Sequence, residues 1–373
     1  MHSLVPTVLF GALASPAYGA VHHMFSGIFN GSDIYAIAFD DETNALTLAN
    51  TVVSNSSNSK WIAIDERRQN VYVADDALYD SYAIMNSTNL EYSGSVSLVN
   101  CSNANFIVAS TASPWTVFGV SYSAGCAANM ISVDETGTLV EIIGNLEYGS
   151  TSGIHGMALS PDNKFVYSAD DMGNAVWVHS VDSTTGAVEE IQYLPAPTGA
   201  DPRHMTVHPK GLFAYVVFEK TNEIAVYTRD NATGKLIYTN NTYSLLPAGF
   251  TNTSSYWADE VMFSVSPTGC PKYMYASTRS LTTTIQGYVS AFSIDPIGAI
   301  SSQLFINQTT NSGGAANAVT SAPFAEEYFA ITDSVSNHIE VWKIIVNGTI
   351  SGIGYPIAHL DTTDGPSDVV WLD

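Results

Sequence analysis

Positive charge is scarce in this chain. Lys and Arg together number 12 against 35 Asp and Glu, for a formal charge of -23. A field of that sign repels phosphate backbones and acidic membrane surfaces, so neither nucleic acid nor a membrane is an expected partner. It also makes any buried cation conspicuous. Cysteine is almost as rare. Cys101, Cys126 and Cys270 are too few for a disulfide scaffold, and their spacing fits no zinc motif. Cys101 and Cys126 lie within one repeat and can pair in an oxidising compartment, which leaves Cys270 as an expected buried thiol. Beyond the first residues no apolar run approaches transmembrane length. No helical period competes with strand-like alternation. The glycine-rich SGGAANA (312–318) has no Lys and no following helix, so it is not a phosphate loop, and no serine sits in a nucleophile elbow. No metal and no organic cofactor is expected.

Hydrophobic residues make up 46% of the 373, ample for a large core. The first 19 residues stand apart. MHSLVPTVLFGALASPAYG has an apolar stretch from Leu4 to Ala14 and small residues at Ala17 and Gly19, the pattern of a secretory leader cleaved after Gly19. Residues 20–373 are then the mature chain, expected outside the cell. Sequons at Asn30, Asn55, Asn86, Asn100, Asn231, Asn240, Asn252, Asn307 and Asn347 fall mostly in polar turns, where N-glycans are tolerated.

A repeat runs through the whole mature chain. KWIAIDERRQNVYVADD (60–76), HGMALSPDNKFVYSADD (155–171) and RHMTVHPKGLFAYVVFEK (203–220) share one form. Each is an alternating apolar strand, a turn rich in Pro, Gly, Asp or Asn, and a second strand ending in acid. Lys60, Asn105, His155, Arg203, Asp259, Asn317 and Asp368 occupy the position at the head of successive first strands, roughly 50 residues apart. Each unit holds about four strand-like runs. The unit from His155 reads GMALS, KFVYSA, NAVWVHSVD and EEIQYL, with the turn STTGA before the last. Asp or Asn followed by Gly recurs at that turn, as in DETGTLVEI (134–142) and DPIGAIS (295–301), which is hairpin chemistry. Seven such phases predict an all-β, seven-bladed β-propeller with four-stranded blades. The last unit offers only DVVWLD, while the mature N-terminus supplies three strands. One blade should therefore be completed by pairing N- and C-terminal strands, making one domain of 20–373.

In such a ring the first strand starts at one face and the second returns to it. The heads of the first strands and the ends of the second strands therefore share the central mouth, the default ligand site. Asp76, Asp171 and Asp333 at the second-strand ends read as turn acids that accept backbone N–H bonds. Glu219 and Arg279 break that pattern, and His155 and Arg203 break the small polar pattern of the other set. These four are the candidate functional residues. His22-His23, His204 and His208 read as packing or turn residues.

GIHGM (153–157), DPRHMTVHPKGLFAYVVFE (201–219) and NSGGAANAV (311–319) resemble the fungal carboxy-cis,cis-muconate cyclases, or 3-carboxymuconate lactonizing enzymes, of the lactonase-type seven-bladed propellers. The PRH…HPxGxxAYVV stretch also resembles the 6-phosphogluconolactonases of that superfamily. The resemblance spans the mature chain. It implies a cofactor-free intramolecular lyase acting on a small carboxylate, with His155, Arg203 and Glu219 catalytic. Arg279, in YASTR (275–279), would bind substrate, with Lys60, Asn105 and Asn317 further candidates around it. Two arginines suit bidentate carboxylate binding, and His155 and Glu219 would handle the proton. Two departures are visible. Ala315 stands where the family usually has His, and CSNAN (101–105) replaces an early His-Pro-Arg element, so Lys60 would have to supply one missing cation. A lactone hydrolase and a non-catalytic secreted propeller that binds a small molecule or glycan are the alternatives.

Overall fold

The computed structural model describes residues 19–348 and 350–373. The leader expected over 1–19 lies, Gly19 apart, outside them. The strands, numbered β1 to β28 in chain order, form seven four-stranded antiparallel sheets. Among the described residues the helical content is a single 3-10 turn at Thr253–Ser255. The innermost strands are β4 (Trp61–Ile64), β8 (Ala104–Ala109), β12 (Ile154–Leu159), β16 (Pro202–Val207), β20 (Tyr256–Phe263), β24 (Val319–Ser321) and β28 (Pro366–Trp371). Each packs beside the next, and β24 meets β28, which meets β4, so the sheets close into a ring of seven blades.

In the closing blade β28 is followed by β1 (Val21–Ile28), β2 (Ile34–Asp40) and β3 (Ala45–Val52). The C-terminal β28 pairs with β1, setting Met24 opposite Trp371 and Phe25 opposite Val370. This is the expected union of the chain ends. His22, at that seam, lies stacked on Phe324 with ring centroids 3.6 Å apart, a packing role as read from the sequence.

Burial grades outward along each blade. The second strand β13 (Phe165–Asp170) is buried at every residue, whereas the outermost β15 (Ala187–Pro195) has only exposed and half-buried residues. Second strands such as β17 (Phe213–Phe218) are covered on both faces by neighbouring blades and so read as nearly unbroken apolar runs. Between adjacent blades the facing residues make a separate core; one such layer holds Tyr167, Val176, Val178, Met205, Val216 and Phe218. The hairpin turns use the predicted chemistry. Asp182 Oδ1 accepts from the backbone N–H of Thr184 and Thr185, and Gly186 takes a φ of 75°, where a side chain would be strained.

Four of the seven innermost strands share an irregularity that alternation does not show. A bulge interrupts pairing at Asn105 in β8, at His155 in β12, at Arg203 and His204 in β16, and at Asp259 and Glu260 in β20. A bulged residue leaves the ladder and its side chain is re-aimed. Gly156 follows one of these bulges. A Cβ there would lie 2.5 Å from His204 Cδ2 and 2.8 Å from the Arg203 carbonyl, so glycine lets two blades meet at the axis.

Cys101 and Cys126 are disulfide-bonded across a sequence separation of 25. Cys270 is only half-buried, because it sits in the turn before β21 (Tyr273–Ser280) rather than inside a sheet. Closing a loop of this length is worth about 3 kcal/mol through the unfolded chain. Replacing both Cys101 and Cys126 with Ser should therefore lower unfolding free energy by about that amount, measured by denaturant titration.

Candidate active site

One mouth of the ring opens into a cavity of about 800 Å³. Lys60, Asn105, His155, Arg203, Glu219 and Arg279 all line it, so the structure brings six of the seven candidates together. Asn317 does not reach it. Its side chain is 1% exposed and lies under the Gly313-Gly314 turn, while its backbone N–H donates to Asp259 Oδ2 at 2.7 Å. It braces Asp259 from behind instead of meeting a ligand.

Four of the chain's 12 cations, Lys60, Arg203, Lys220 and Arg279, line this one cavity. In a chain of net charge -23 that concentration marks the cavity as the place where anions are tolerated. Lys220 is paired at the rim with Asp201 at 2.5 Å, and Lys60 Nζ donates to Asn103 Oδ1 at 2.5 Å.

The floor is a quartet of buried charges. Arg203 Nε donates to Asp259 Oδ1 at 2.8 Å, and its Nη1 reaches Glu219 Oε1 at 3.4 Å. Arg279 Nη2 donates to the same Glu219 oxygen at 2.6 Å, and its Nη1 faces Asp259 Oδ2 at 3.5 Å and donates to the Ala315 carbonyl. Trp257 covers Arg279, with the guanidinium carbon 5.4 Å from a ring centroid. Two carboxylates thus clamp two guanidiniums, and Glu219 sits between both cations. Burial opposes ionisation of Asp259, yet Arg203 and Arg279 overcome it and pull its pKa down to about 2. Burial opposes the charge of Arg203 too, but Asp259, Glu219 and Asp171 hold it firmly protonated. Among the described residues no hydrogen bond engages Arg203 Nη2 or Arg279 Nε. Each guanidinium therefore keeps a donor for a ligand.

Buried ion clusters are poor stabilising devices, because desolvation offsets most of the attraction. Their position at the bottom of an open cavity points to a ligand instead.

A second network lies beside the quartet. Asn105 Nδ2 donates to the His155 carbonyl at 3.1 Å. His155 Nδ1 and His204 Nε2 are 2.9 Å apart, and His204 Nδ1 and Glu260 Oε2 are 2.5 Å apart. Burial, and then the charge of Arg203, hold the His155 pKa well below its ordinary value, so its imidazole is neutral at pH 7. Tyr122 stacks edge-on against His155, with ring centroids 4.9 Å apart, and its hydroxyl donates to Asp171 Oδ2. Asp171 lines the cavity, and burial together with the nearby Glu219 charge raises its pKa to about 6.

Asp171 corrects a reading made from the repeat. The turn role expected of it belongs to Asp170, whose carboxylate takes the N–H groups of Gly153, Gly173 and the Trp177 indole. Asp75 likewise does the work expected of Asp76, accepting from the backbone of Ser57 and Asn58. Asp333 behaves as read, accepting from Gly313, Val335 and Ser336. His204 is a member of the site network and not only a packing residue. The β16 bulge hides this, because it breaks the alternation by which sequence tells inward from outward.

Above the charged floor the walls are apolar. Phe29, Met172, Trp257, Leu281 and Val335 line the upper cavity, and Met172, Leu281 and Val335 are well exposed.

Comparison with known proteins matches this architecture. Residues 23–344 fit the model of the lactonase family, described as a 7-bladed beta-propeller. The chain is 32% identical over 341 residues to carboxy-cis,cis-muconate cyclase of Neurospora crassa, covering 87% of this chain and 92% of that protein. Among solved structures, a periplasmic gluconolactonase of Pseudomonas aeruginosa superposes with a TM-score of 0.78 at 16% identity, over 95% of this chain and 99% of that one. A Bacteroides uniformis protein proposed to be a 6-phosphogluconolactonase gives 0.76 at 19% identity, over 94% and 99%. The last two likenesses speak for the fold alone. With its seven closed blades and its match over most of the length of the Neurospora crassa cyclase, this chain belongs to the seven-bladed propeller lactonase family and is a relative of carboxy-cis,cis-muconate cyclase.

Proposed function

We propose that the protein is a secreted, cofactor-free lactonizing enzyme acting on a conjugated carboxylate of muconate type. The observation that carries this reading is the Arg203–Arg279 pair at the cavity floor, each arginine with a spare donor and both held in place by Glu219 and Asp259. The 32% identity to the Neurospora crassa carboxy-cis,cis-muconate cyclase supports it. In the proposed reaction one substrate carboxylate oxygen forms a C–O bond to an alkene carbon. The alkene electrons move onto the neighbouring carbon and its carboxylate, giving an enolate that the arginines stabilise. A proton delivered to that carbon completes an isomerisation with no change in composition. No oxidant, metal or second substrate enters.

Proton delivery falls to Asp171 in this scheme and not to Glu219. Glu219 is held between two guanidiniums, which makes it a positioning group. Asp171 already has a pKa near 6, and a substrate anion beside it would raise that further. Neutral His155, oriented by His204, donates a hydrogen bond to the substrate. The apolar collar suits a substrate with an anionic end and an unsaturated hydrocarbon body. With Ala315 in place of a cation, the cavity suits fewer carboxylates than a tricarboxylate carries.

Export is supported by the Cys101–Cys126 bond and by eight of the nine sequon asparagines being exposed. Asn307 departs from them: it is half-buried, and its Nδ2, the atom that would carry a glycan, donates to the Gly354 carbonyl at 2.6 Å.

The test is direct. Incubating the purified protein with cis,cis-muconate and its 3-carboxy derivative should bleach their ultraviolet absorbance as conjugation is lost. A folded protein that leaves both unchanged contradicts the assignment. A second reading has one observation in its favour. A carboxylate with a pKa near 6 is mostly ionised at pH 7 and can activate water, as lactone hydrolysis requires. Turnover of aldonolactones with no bleaching of muconates would select it.

A further inference from the structure

The outer strands of one blade carry a second constellation that the central cavity does not use. In the sheet of β24, β25 (Tyr328–Asp333), β26 (His338–Asn347) and β27 (Ser351–Asp361), β26 pairs with β27 so that Glu340 lies opposite His359 and His338 opposite Asp361. His338 and Glu340 are two apart on their strand, and His359 and Asp361 two apart on theirs. Strand geometry therefore puts all four side chains on one face as a square. One donor atom each from His338, Glu340 and His359 lies within 4.8 Å of the others.

One imidazole of this square lies between two carboxylates. His359 Nε2 is 3.0 Å from Asp361 Oδ1, and His359 Nδ1 is 3.0 Å from Glu340 Oε1. Asp361 fixes the tautomer. When Nε2–H donates to it, Nδ1 turns its lone pair toward Glu340, the arrangement by which an outer carboxylate orients a metal-bound imidazole. Glu340 is itself held, accepting from the Thr310 hydroxyl at 2.7 Å and from the Trp342 indole N–H at 2.9 Å. His338, 3% exposed, has its ring centroid 4.7 Å from that of His359, and its ring makes no hydrogen bond to the described residues. On an ion holding ligands at ~2.0–2.1 Å, neighbouring donors are ~2.9–3.3 Å apart, which the Glu340–His359 separation meets without rearrangement.

We infer that His338, Glu340 and His359 form a divalent-metal site, with Asp361, Thr310 and Trp342 orienting the ligands. Two imidazoles and one carboxylate select a borderline ion, of which Zn²⁺ is the natural probe. His359 is partly exposed, with 41% of its side-chain surface open, so at least one coordination position faces water. Thr310 belongs to the segment that goes on to line the central cavity with Ser312, Gly314, Ala315 and Ala316. An occupied site would fasten that segment to the outer blade.

Tag-free full-length protein, stripped with EDTA and titrated with ZnCl2 at pH 7.5, tests this calorimetrically. One equivalent should bind. His359→Gln, at an exposed position where folding is not at risk, should weaken binding by more than the 10–100-fold that loss of an outer partner costs. Thr310→Val should weaken it by roughly tenfold. Absence of binding by the wild type overturns the inference, and so does zinc binding that His359→Gln leaves unchanged.

Discussion

Replacing Arg203 with Ala is expected to lower kcat/KM by about 10²–10³, the usual cost of removing a donor that meets charge developing in a transition state. The change also leaves Asp259 and Glu219 with one guanidinium where they had two. Truncating one partner of a buried ion cluster costs about 3–5 kcal/mol of stability, so the melting temperature should fall as well. Arg203→Lys separates the two effects. An ammonium keeps the charge that the carboxylates need, but it cannot serve Asp259, Glu219 and a ligand from one planar fork. Most stability should return while activity stays low. Full activity in the Lys variant would mean that the guanidinium does not touch the substrate.

Asp171→Asn should reduce kcat by about 10²–10⁴, the range for loss of a general acid or base. Its pH dependence also discriminates between the two functional readings. If Asp171 donates the proton in lactonization, it must be protonated, so kcat/KM falls as pH rises through about 6. If it activates water for lactone opening, it must be ionised, and kcat/KM rises through the same pH. Either limb should vanish in the Asn variant. His155 adds no limb there, since burial and Arg203 hold its pKa well below the ordinary value. Stability gives an independent check. The folded-state pKa of Asp171 is raised above its unfolded value, so the folded protein holds this proton more tightly. The contribution is fully present below the ordinary carboxylate pKa and is lost as pH rises through about 6. The Asn variant should lack that loss, and the difference between the two stability curves should open between about pH 4 and 6. Superimposable curves would mean that Asp171 is not a buried, raised acid.

Much of this was legible before any coordinates, for physical reasons. A blade is one supersecondary unit repeated, so strand period, Asp-Gly turns and the incomplete last unit all predicted a closed seven-fold ring. Arg203, Arg279, His155 and Glu219 stood out because each breaks the polarity that its repeat position otherwise keeps. What stayed hidden depends on one-residue differences. Asp170 and Asp171 are adjacent and chemically identical. Only the end of β13 decides which caps a turn and which enters the cavity. His204 and Glu260 lie within bulges, where alternation no longer tells which way a side chain points. Asn317 matched by repeat phase, but β24 starts two residues later, at Val319, and leaves it behind the wall. The metal square was invisible because its members join through the β26–β27 register, with no ligand spacing along the chain.

The central claim is that the arginine pair at the cavity floor receives a substrate carboxylate. A crystal structure with a saturated, unreactive dicarboxylate such as adipate tests it most directly. One carboxylate should lie within hydrogen-bond distance of Arg203 Nη2 and Arg279 Nε, with Glu219 and Asp259 still holding the opposite edges of both guanidiniums. A dicarboxylate bound elsewhere, or none bound while the quartet stays closed on itself, would contradict it.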